Sequence, residues 1–387
     1  MSGRRAAILL AGTALFLIAV VALALRPYGG NPSALLHMHE EYGRQYDLPP
    51  GIVLYRDGGY DGMLYYQLAR DLPALLRGDD ITPPRGRPRG DRAYRGQRML
   101  LPVLTWLVSA GDERRFPQAI LAINLTCLLV ALSLAMLAVG PGVHAATVVL
   151  NPAALIGLLY ACTEPLTLAL TTAFFTLWHH QGRRLTVAQT AVLALAALAR
   201  ETTVLLVLPL CAWLAWHGRW RQARLALASL LPWALWQLFL FVRLDDQPFS
   251  VGSGMISLPL SGALSLVPRL ADVDVYVVSS AVFLIGFLGP VAAAQFRAWR
   301  TPGLPQRDDL PLAMLTFLTA VVLCLDAHVW HAVSAVGRVM PALYVAHAMT
   351  AAAIDDRSWR LVSAALCAIG TVSGVGVALS SHPFTLT

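Results

Sequence analysis

"RRAAILLAGTALFLIAVVALALR", residues 4–26, decides the fold class of this chain. Its run of roughly twenty apolar residues between arginines has the length that an α-helix needs to cross a bilayer. A charged start before an apolar run is also typical of a signal peptide, and Ala22-Leu23-Ala24 offers a cleavage site. The apolar run is longer than the roughly 7–15 residues of signal peptides, so the sequence favours an uncleaved signal-anchor helix.

Similar apolar runs recur along all 387 residues, of which 57% are hydrophobic and only 13% charged, whereas soluble domains carry about 25% charged residues. Backbone polar groups in hydrocarbon must be satisfied internally, and the alternating strand pattern of a membrane barrel is missing from the sequence. We therefore predict an all-α integral membrane protein, one polytopic domain over residues 1–387 with about 11 transmembrane helices. The predicted spans lie near residues 6–25, 116–138, 142–160, 163–180, 185–199, 201–216, 225–242, 273–296, 310–326, 339–354 and 360–380.

Arginines orient the predicted helices. The loops assigned to the cytoplasm hold twelve arginines and four acids, as the positive-inside rule requires. The N-terminus is then cytoplasmic, and residues 26–115 form a long first extracytoplasmic loop ahead of a 116–387 helix bundle. Residues 99–111 are too few to span, so we expect a juxtamembrane helix there. The expected location is the plasma membrane, which is the inner membrane in a bacterium.

"YRDGGYDGMLYYQLARDL", residues 55–72, is the most unusual part of the first loop. From Gly62 onward, the spacing of its apolar residues predicts an amphipathic helix on the membrane surface. Asp61 stands at the helix start, where Asp is a favoured N-cap, so capping alone is one interpretation. The flanking glycines favour another, in which the backbone leaves room for a bulky ligand beside the Asp57 and Asp61 carboxylates.

Other ionisable residues fall at the same predicted outer face. Glu164 follows Thr163 and precedes a proline, so it serves either a functional site or only the start of a helix. Arg200 and Glu201 mark the tip of an apolar hairpin, either as functional groups or as a local ion pair. Charged groups near a bilayer are costly and usually functional. The candidate set is Asp57, Tyr60, Asp61, Arg95, Arg98, Glu164, Arg200, Glu201, His328, His331 and Arg338.

No cofactor is expected. His328 and His331 have the i, i+3 spacing of metal ligands, but no nearby Cys or His in the sequence completes a set. A divalent cation held jointly by Asp57 and Asp61 stays an open alternative. The five cysteines are scattered among apolar runs, which indicates small buried side chains.

The order of these motifs resembles that of polytopic GT-C glycosyltransferases, above all the second mannosyltransferase of GPI-anchor assembly and its bacterial relatives. The resemblance covers roughly residues 55–215 and rests on Tyr60-Asp61 with "GMLYYQLA", "YRGQRMLLPVLTWL", "NPAALIGLLYACTEPL" and "LARETT". Tyr60 stands where eukaryotic members have Trp or Phe, and Thr163-Glu164-Pro165 where they have Ser-Glu-Ala, so the bacterial branch fits better.

The resemblance implies an inverting glycosyl transfer on the extracytoplasmic face. The donor would be a polyprenyl-phosphate sugar, mannose or another hexose, and the acceptor a hydroxyl of a glycolipid or glycan. Asp61 would be the general base, with Asp57 second, because a hydroxyl nucleophile needs a positioned carboxylate. Arginines would hold the leaving phosphate, and acids would hold sugar hydroxyls or orient the arginines. The phosphate candidates are Arg200, Arg98, Arg95 and Arg338, and the acids are Glu164 and Glu201.

Two other classes of function fit an envelope protein with many spans. A lipid or oligosaccharide transporter or flippase would have internal repeats and a site near the bilayer midplane. The sequence has no visible repeat, and its ionisable residues lie at one face. A structural scaffold would have no need of the outer carboxylates. The bilayer is the expected partner in each case, and no nucleic acid is expected.

Overall fold

The computed structural model describes residues 2–41, 47–56, 59–77, 96–244, 255–269, 275–300, 310–331, 333–354 and 356–379. This part of the chain is almost entirely helical, as predicted. Its only sheet is a parallel pair of two-residue strands, Met38–His39 and Leu54–Tyr55, in the first loop.

Within the described residues, five helices are long and apolar enough to cross a membrane. Only 22–39% of their most apolar segments is buried in the protein, so large apolar side chains such as Leu137, Ile285 and Val372 face outward. Apolar surface of this extent outside a protein core requires a lipid environment. The chain is therefore a membrane-integrated helical protein, and the five helices are Gly3–Tyr28, Glu113–Val139, Trp220–Arg243, Val277–Arg300 and Arg357–Leu379.

Shorter helices occupy most of the other predicted spans. Four are apolar, and they are Val187–Ala199, Glu201–Trp216, Leu310–Leu323 and Pro341–Ile354. The helix expected at residues 99–111 is Leu100–Val108, whose nine residues rise only about 14 Å and cannot cross a bilayer. Small helices of four residues connect the larger ones, at Val143–Ala146, Ser261–Leu264, Ala327–Trp330 and Val333–Val336.

The Glu164–His180 helix forms the centre of the bundle. It packs against Phe116–Val139, Pro152–Leu159, Val187–Ala199 and Pro341–Ile354. Its buried Thr167, Thr171 and Thr172 donate their hydroxyls to carbonyls one turn earlier in the chain, which satisfies these polar groups away from water. An acid in the first turn and two histidines in the last complement the helix dipole.

The predicted span 142–160 is wrong as a single helix. Asn151 interrupts it, because its side-chain oxygen accepts from the Ala154 N–H at 3.0 Å and its amide donates to the Thr147 and Val148 carbonyls. Pro152 has no N–H to continue the preceding turn and starts a new helix, Pro152–Leu159, in which every residue is buried.

Glycines bring the last helix, Arg357–Leu379, against this interruption. A Cβ on Gly370 would lie 2.6 Å from Asn151 Cα, and one on Gly374 would lie 2.8 Å from Leu155 side-chain atoms. Such small residues four positions apart let backbones approach closely inside membranes, where van der Waals packing holds helices together.

Residues predicted to lie on the membrane surface instead pack inside the protein. The helix begins at Asp61 as expected and runs to Arg77, but Met63, Leu64, Tyr65 and Leu72 are buried. The Pro32–Leu36 turn and the Leu100–Val108 helix cover it. Its apolar face is thus part of the core.

A glycine substitution tests the close packing of the last helix. Gly370→Ala places a methyl group against the Asn151 backbone, which cannot move aside, and should lower the free energy of unfolding by about 1–3 kcal/mol. Gly376→Ala is the matched control, because nothing lies within 4 Å of its Cβ position. Thermal unfolding of the purified protein in detergent compares them, and equal melting temperatures would contradict the packing.

Candidate functional site

Asp61 is buried at the start of its helix, with 5% of its surface exposed. The next residue must be glycine, since a Cβ on Gly62 would lie 2.5 Å from the Tyr160 carbonyl oxygen and 2.9 Å from Ala161 Cβ. The expectation that this glycine makes room for a ligand is therefore wrong. It makes room for the Tyr160–Ala161 backbone, and this contact holds the Asp61 carboxylate beside residues that precede Glu164.

Arg98 connects Asp61 to the tip of the apolar hairpin. Its Nε and Nη2 donate to the two carboxylate oxygens of Glu201, each at 2.7 Å, in a bidentate pair. Its Nη1 donates to Asp61 Oδ2 at 3.4 Å and to the Tyr65 hydroxyl at 3.0 Å. One guanidinium thus holds two carboxylates and one phenol.

Arg338 lies on the other side of Asp61. Its Nη2 donates to Asp61 Oδ2 at 3.1 Å, and its Nη1 donates to Glu164 Oε1 at 2.9 Å and to the Cys162 sulfur at 3.3 Å. The Tyr60 ring covers this guanidinium, with the Arg338 Cζ 4.7 Å from the ring centroid. Tyr60 in turn stacks on Tyr160 at 4.1 Å. An aromatic face over a cation is favourable, more so away from water.

Glu164 completes the arrangement. Its Oε1 accepts from Arg200 Nη1 at 2.6 Å as well as from Arg338. Arg200 and Glu201 are neighbours in sequence but pair with different segments, so the local ion pair is not their main contact. The result is a series of five ion pairs in which acids and arginines alternate, and its first and last members, Glu201 and Arg200, are neighbours in sequence. We call it the charged ring: Glu201, Arg98, Asp61, Arg338, Glu164 and Arg200.

The charged ring carries three negative and three positive charges. Its side chains are between 0% and 18% exposed, so each charge depends on its neighbours for stabilisation. Burial lowers the pKa of Arg338, but Tyr60, Glu164 and Asp61 raise it by more, and the net pKa is well above the usual value. Burial raises the pKa of Tyr65, so its hydroxyl keeps its proton.

Three polar atoms, one of Glu164 and one from each of two neighbouring residues, have no hydrogen-bond partner in the described part of the chain. They are Glu164 Oε2, Arg200 Nε and the Thr163 hydroxyl, and all are buried. Thr163 makes no side-chain cap to the helix it precedes. A helix-start role alone therefore does not account for this pair of residues.

Most of the predicted site residues meet in one place. Asp61, Arg98, Glu164, Arg200, Glu201 and Arg338 form the charged ring, and Tyr60 covers it. His328 and His331 have other contacts, with Asp326 for the first and with Ser265 and Arg269 for the second. Asp57 and Arg95 lie outside the described residues.

Sequence reasoning missed three residues at the site. Tyr65 lies one helical turn after Asp61, which was a usable signal, and its hydroxyl contacts Arg98. Cys162 and Tyr160 precede Glu164 and contact Arg338 and Tyr60. Cys162 is buried, as expected, but it also accepts a hydrogen bond from a guanidinium.

The structure also contains an apolar groove of about 410 Å³. It runs between the Asp61–Arg77, Leu100–Val108, Val187–Ala199 and Leu231–Leu244 helices. Two residues of its wall are close to ring members in sequence. Met99 directly follows Arg98, and Leu198 comes two residues before Arg200. Its other walls include Leu72, Leu76, Val103, Trp106, Leu107 and Trp236.

No metal site is apparent in the described ranges, where no three His, Cys, Asp or Glu residues are grouped as ligands. Comparison with models of protein families, with curated proteins and with solved structures finds no match to this chain.

Removing one ring cation should be more harmful than removing a whole pair. Arg98→Gln leaves two carboxylates facing each other without their shared cation, and should lower the free energy of unfolding by about 3–5 kcal/mol. Adding Glu201→Gln to it removes one of those carboxylates and should recover part of the loss. Unfolding of the wild-type protein, both single variants and the double variant in the same detergent gives the coupling free energy, and purely additive losses would contradict the ring.

Proposed function

We propose that the protein is a membrane glycosyltransferase of the GT-C type, moving a mannose or another hexose from a polyprenyl-phosphate carrier to a hydroxyl of a glycolipid or glycan. The observation that carries the proposal is a buried carboxylate, Asp61, held between two arginines, one of which, Arg98, directly precedes Met99 in the wall of an apolar groove. A lipid-phosphate sugar has the three matching parts, namely an anionic phosphate, a polar sugar and a long apolar chain.

The proposal includes the full topology predicted from the sequence. About 11 spans place the N-terminus in the cytoplasm and the charged ring at the extracytoplasmic end of the bundle, in a plasma or bacterial inner membrane. The distribution of arginines among the loops supports this orientation.

Asp61 acts as the general base in a single displacement. It takes the proton of the acceptor hydroxyl as that oxygen attacks the anomeric carbon of the sugar. The bond between this carbon and the phosphate oxygen breaks, and its electron pair leaves with the polyprenyl phosphate. Attack from the side opposite the leaving group inverts the anomeric centre, and no covalent enzyme intermediate forms.

Arginines stabilise the departing phosphate. Negative charge grows on its oxygens as the sugar leaves, and guanidinium groups fixed in a buried site stabilise that charge without reorganising. Arg338 and Arg200 meet at Glu164, so two cations are already aimed at one point. Arg98 stays bound to Glu201 and positions Asp61. No cofactor or divalent cation is needed for these roles.

The apolar groove would take the first isoprene units of the carrier. Met99 in its wall follows Arg98 directly in the chain, and Leu198 in its wall comes two residues before Arg200. A phosphate at the charged ring would therefore bring its lipid chain to the groove entrance. Burying apolar surface there contributes about 25 cal/mol per Å².

Substitution of the proposed base tests the reaction. Asp61→Asn keeps the size of the side chain but removes the proton acceptor, and should lower kcat at least about 100-fold while the donor still binds. The measurement is sugar transfer from a labelled polyprenyl-phosphate sugar to glycolipid acceptors by the purified protein. Asp112→Asn, an exposed carboxylate in the same loop, is the control that should leave kcat unchanged.

One outcome would contradict the role of Asp61, and another would contradict the transferase itself. Undiminished turnover by Asp61→Asn would exclude Asp61 as the base. Movement of the intact lipid-linked sugar across proteoliposome membranes, without transfer to any acceptor, would establish the flippase alternative instead.

Filling the groove tests the carrier site. Val103→Trp places an indole in the groove and should raise KM for a long-chain donor at least about tenfold, with little change in kcat, because only chain binding is lost. Val108→Trp, on the same helix but 62% exposed, is the matched control. The same KM increase with a donor whose phosphate carries a methyl group in place of the isoprene chain would show that the groove does not hold the chain.

A further inference from the structure

The two ends of the charged ring differ in how completely their hydrogen bonds are satisfied. At the Glu201 end, both carboxylate oxygens accept from Arg98, one from Nε and one from Nη2, at 2.7 Å. This two-bond geometry uses the full fork of the guanidinium and is the strongest arrangement available to an Arg–carboxylate pair.

The Glu164 end is incomplete. Arg200 and Arg338 both donate to the same oxygen, Oε1, at 2.6 and 2.9 Å, while Oε2 has no partner in the described residues. Arg200 leaves its Nε unsatisfied as well. A buried polar atom without a partner costs about 1–3 kcal/mol, so two of them indicate a site that is not built for this carboxylate alone.

Arg338 is also the most accessible of the three ring arginines. Its side chain is 12% exposed, compared with 4% for Arg98 and 3% for Arg200. An incoming anion would thus meet Arg338 first. The N-terminal end of the Glu164–His180 helix lies at the same place and adds positive potential.

We propose that the Glu164 carboxylate occupies the place of a phosphate group, and that the phosphodiester of the lipid-linked donor displaces it from between Arg200 and Arg338. The diester has two non-bridging oxygens, and the polyprenyl phosphate released from it has three, so the phosphate can take the Arg200 Nε and the Arg338 donors together, which one carboxylate oxygen cannot do. The exchange deepens the proposed function, on which it rests, by identifying the ring end that binds phosphate.

The exchange also changes the surroundings of Asp61. When Arg338 turns its donors to the phosphate, Asp61 loses one of its two cations and keeps Arg98. An opposite charge favours the ionised form of a carboxylate, so its removal makes proton uptake easier. Binding of the donor would therefore activate the base, and an empty site would keep it inactive.

Anion affinity of two charge-matched variants tests the exchange. Glu164→Gln and Glu201→Gln each remove one negative charge from the charged ring, so general electrostatic attraction rises in both. Only Glu164→Gln removes the competitor for the phosphate place. We expect it to bind farnesyl phosphate at least about tenfold more tightly than Glu201→Gln does, a difference of about 1.4 kcal/mol.

The dissociation constants come from thermal stabilisation of the purified protein in detergent, titrated with farnesyl phosphate and, as the control without phosphate, with farnesol. Glu164→Asp provides a variant of unchanged net charge, in case Glu164→Gln fails to fold. Its shorter side chain reaches the two arginines less well, so it should also bind farnesyl phosphate more tightly than the wild-type protein.

The outcomes separate the exchange from the transfer reaction. Equal affinities of Glu164→Gln and Glu201→Gln, with transfer intact in the wild-type protein, would overturn the exchange and leave the proposed function standing. Tighter binding by Glu164→Gln without transfer to any acceptor would support a phosphate site and overturn the transferase. Equal stabilisation by farnesol would overturn the exchange, because the phosphate would then contribute nothing.

Discussion

The Asp61 carboxylate, held by Arg98 on one side and Arg338 on the other, is the interaction on which the rest of the site depends. It joins a residue of the first loop to one near the end of the chain. Through those arginines it reaches Glu201 and Glu164. Four ring members, namely Arg98, Asp61, Arg338 and Glu164, each have two ion-pair partners in the ring, and Glu201 and Arg200 each have one. A buried charge is tolerated only with an opposite charge beside it, and the alternation of acids and arginines provides one for every member.

Backbone packing, and not charge alone, brings these residues together. Gly62 lets the Asp61–Arg77 helix lie against the Tyr160 carbonyl, and Gly157 leaves space for the Glu164 side chain, whose Cβ would be 2.8 Å from a Cβ at that position. The helix break at Asn151 lets the buried Pro152–Leu159 segment run to this contact. Substitutions far from any charge therefore affect where the arginines point.

Sequence reasoning reached the helical class, most helix positions and six members of the charged ring, because apolar runs and isolated charges are local signals. It failed where the hydrogen-bond or ion-pair partner of a residue decided the role of that residue. Asn151 resembles any polar residue in an apolar run until its three hydrogen bonds are seen, and Arg200 beside Glu201 resembles a local pair although each contacts another segment. His328 and His331 have a ligand spacing, but His328 pairs with Asp326, two residues earlier, and His331 contacts the distant Arg269.

A neutral ring in which every charge is paired is stable, but it offers no free donor to a ligand. The unpartnered polar atoms at the Glu164 end are significant for this reason. If every oxygen and guanidinium donor were satisfied, as at Glu201, an entering anion would have to break good hydrogen bonds and gain only equivalent ones. Leaving Glu164 Oε2 and Arg200 Nε without partners among the described residues stores part of that cost in the empty protein. A phosphate that satisfies the arginine recovers it, and as the sugar leaves, the diester becomes a monoester whose third oxygen can accept further hydrogen bonds, which a carboxylate with two oxygens does not offer.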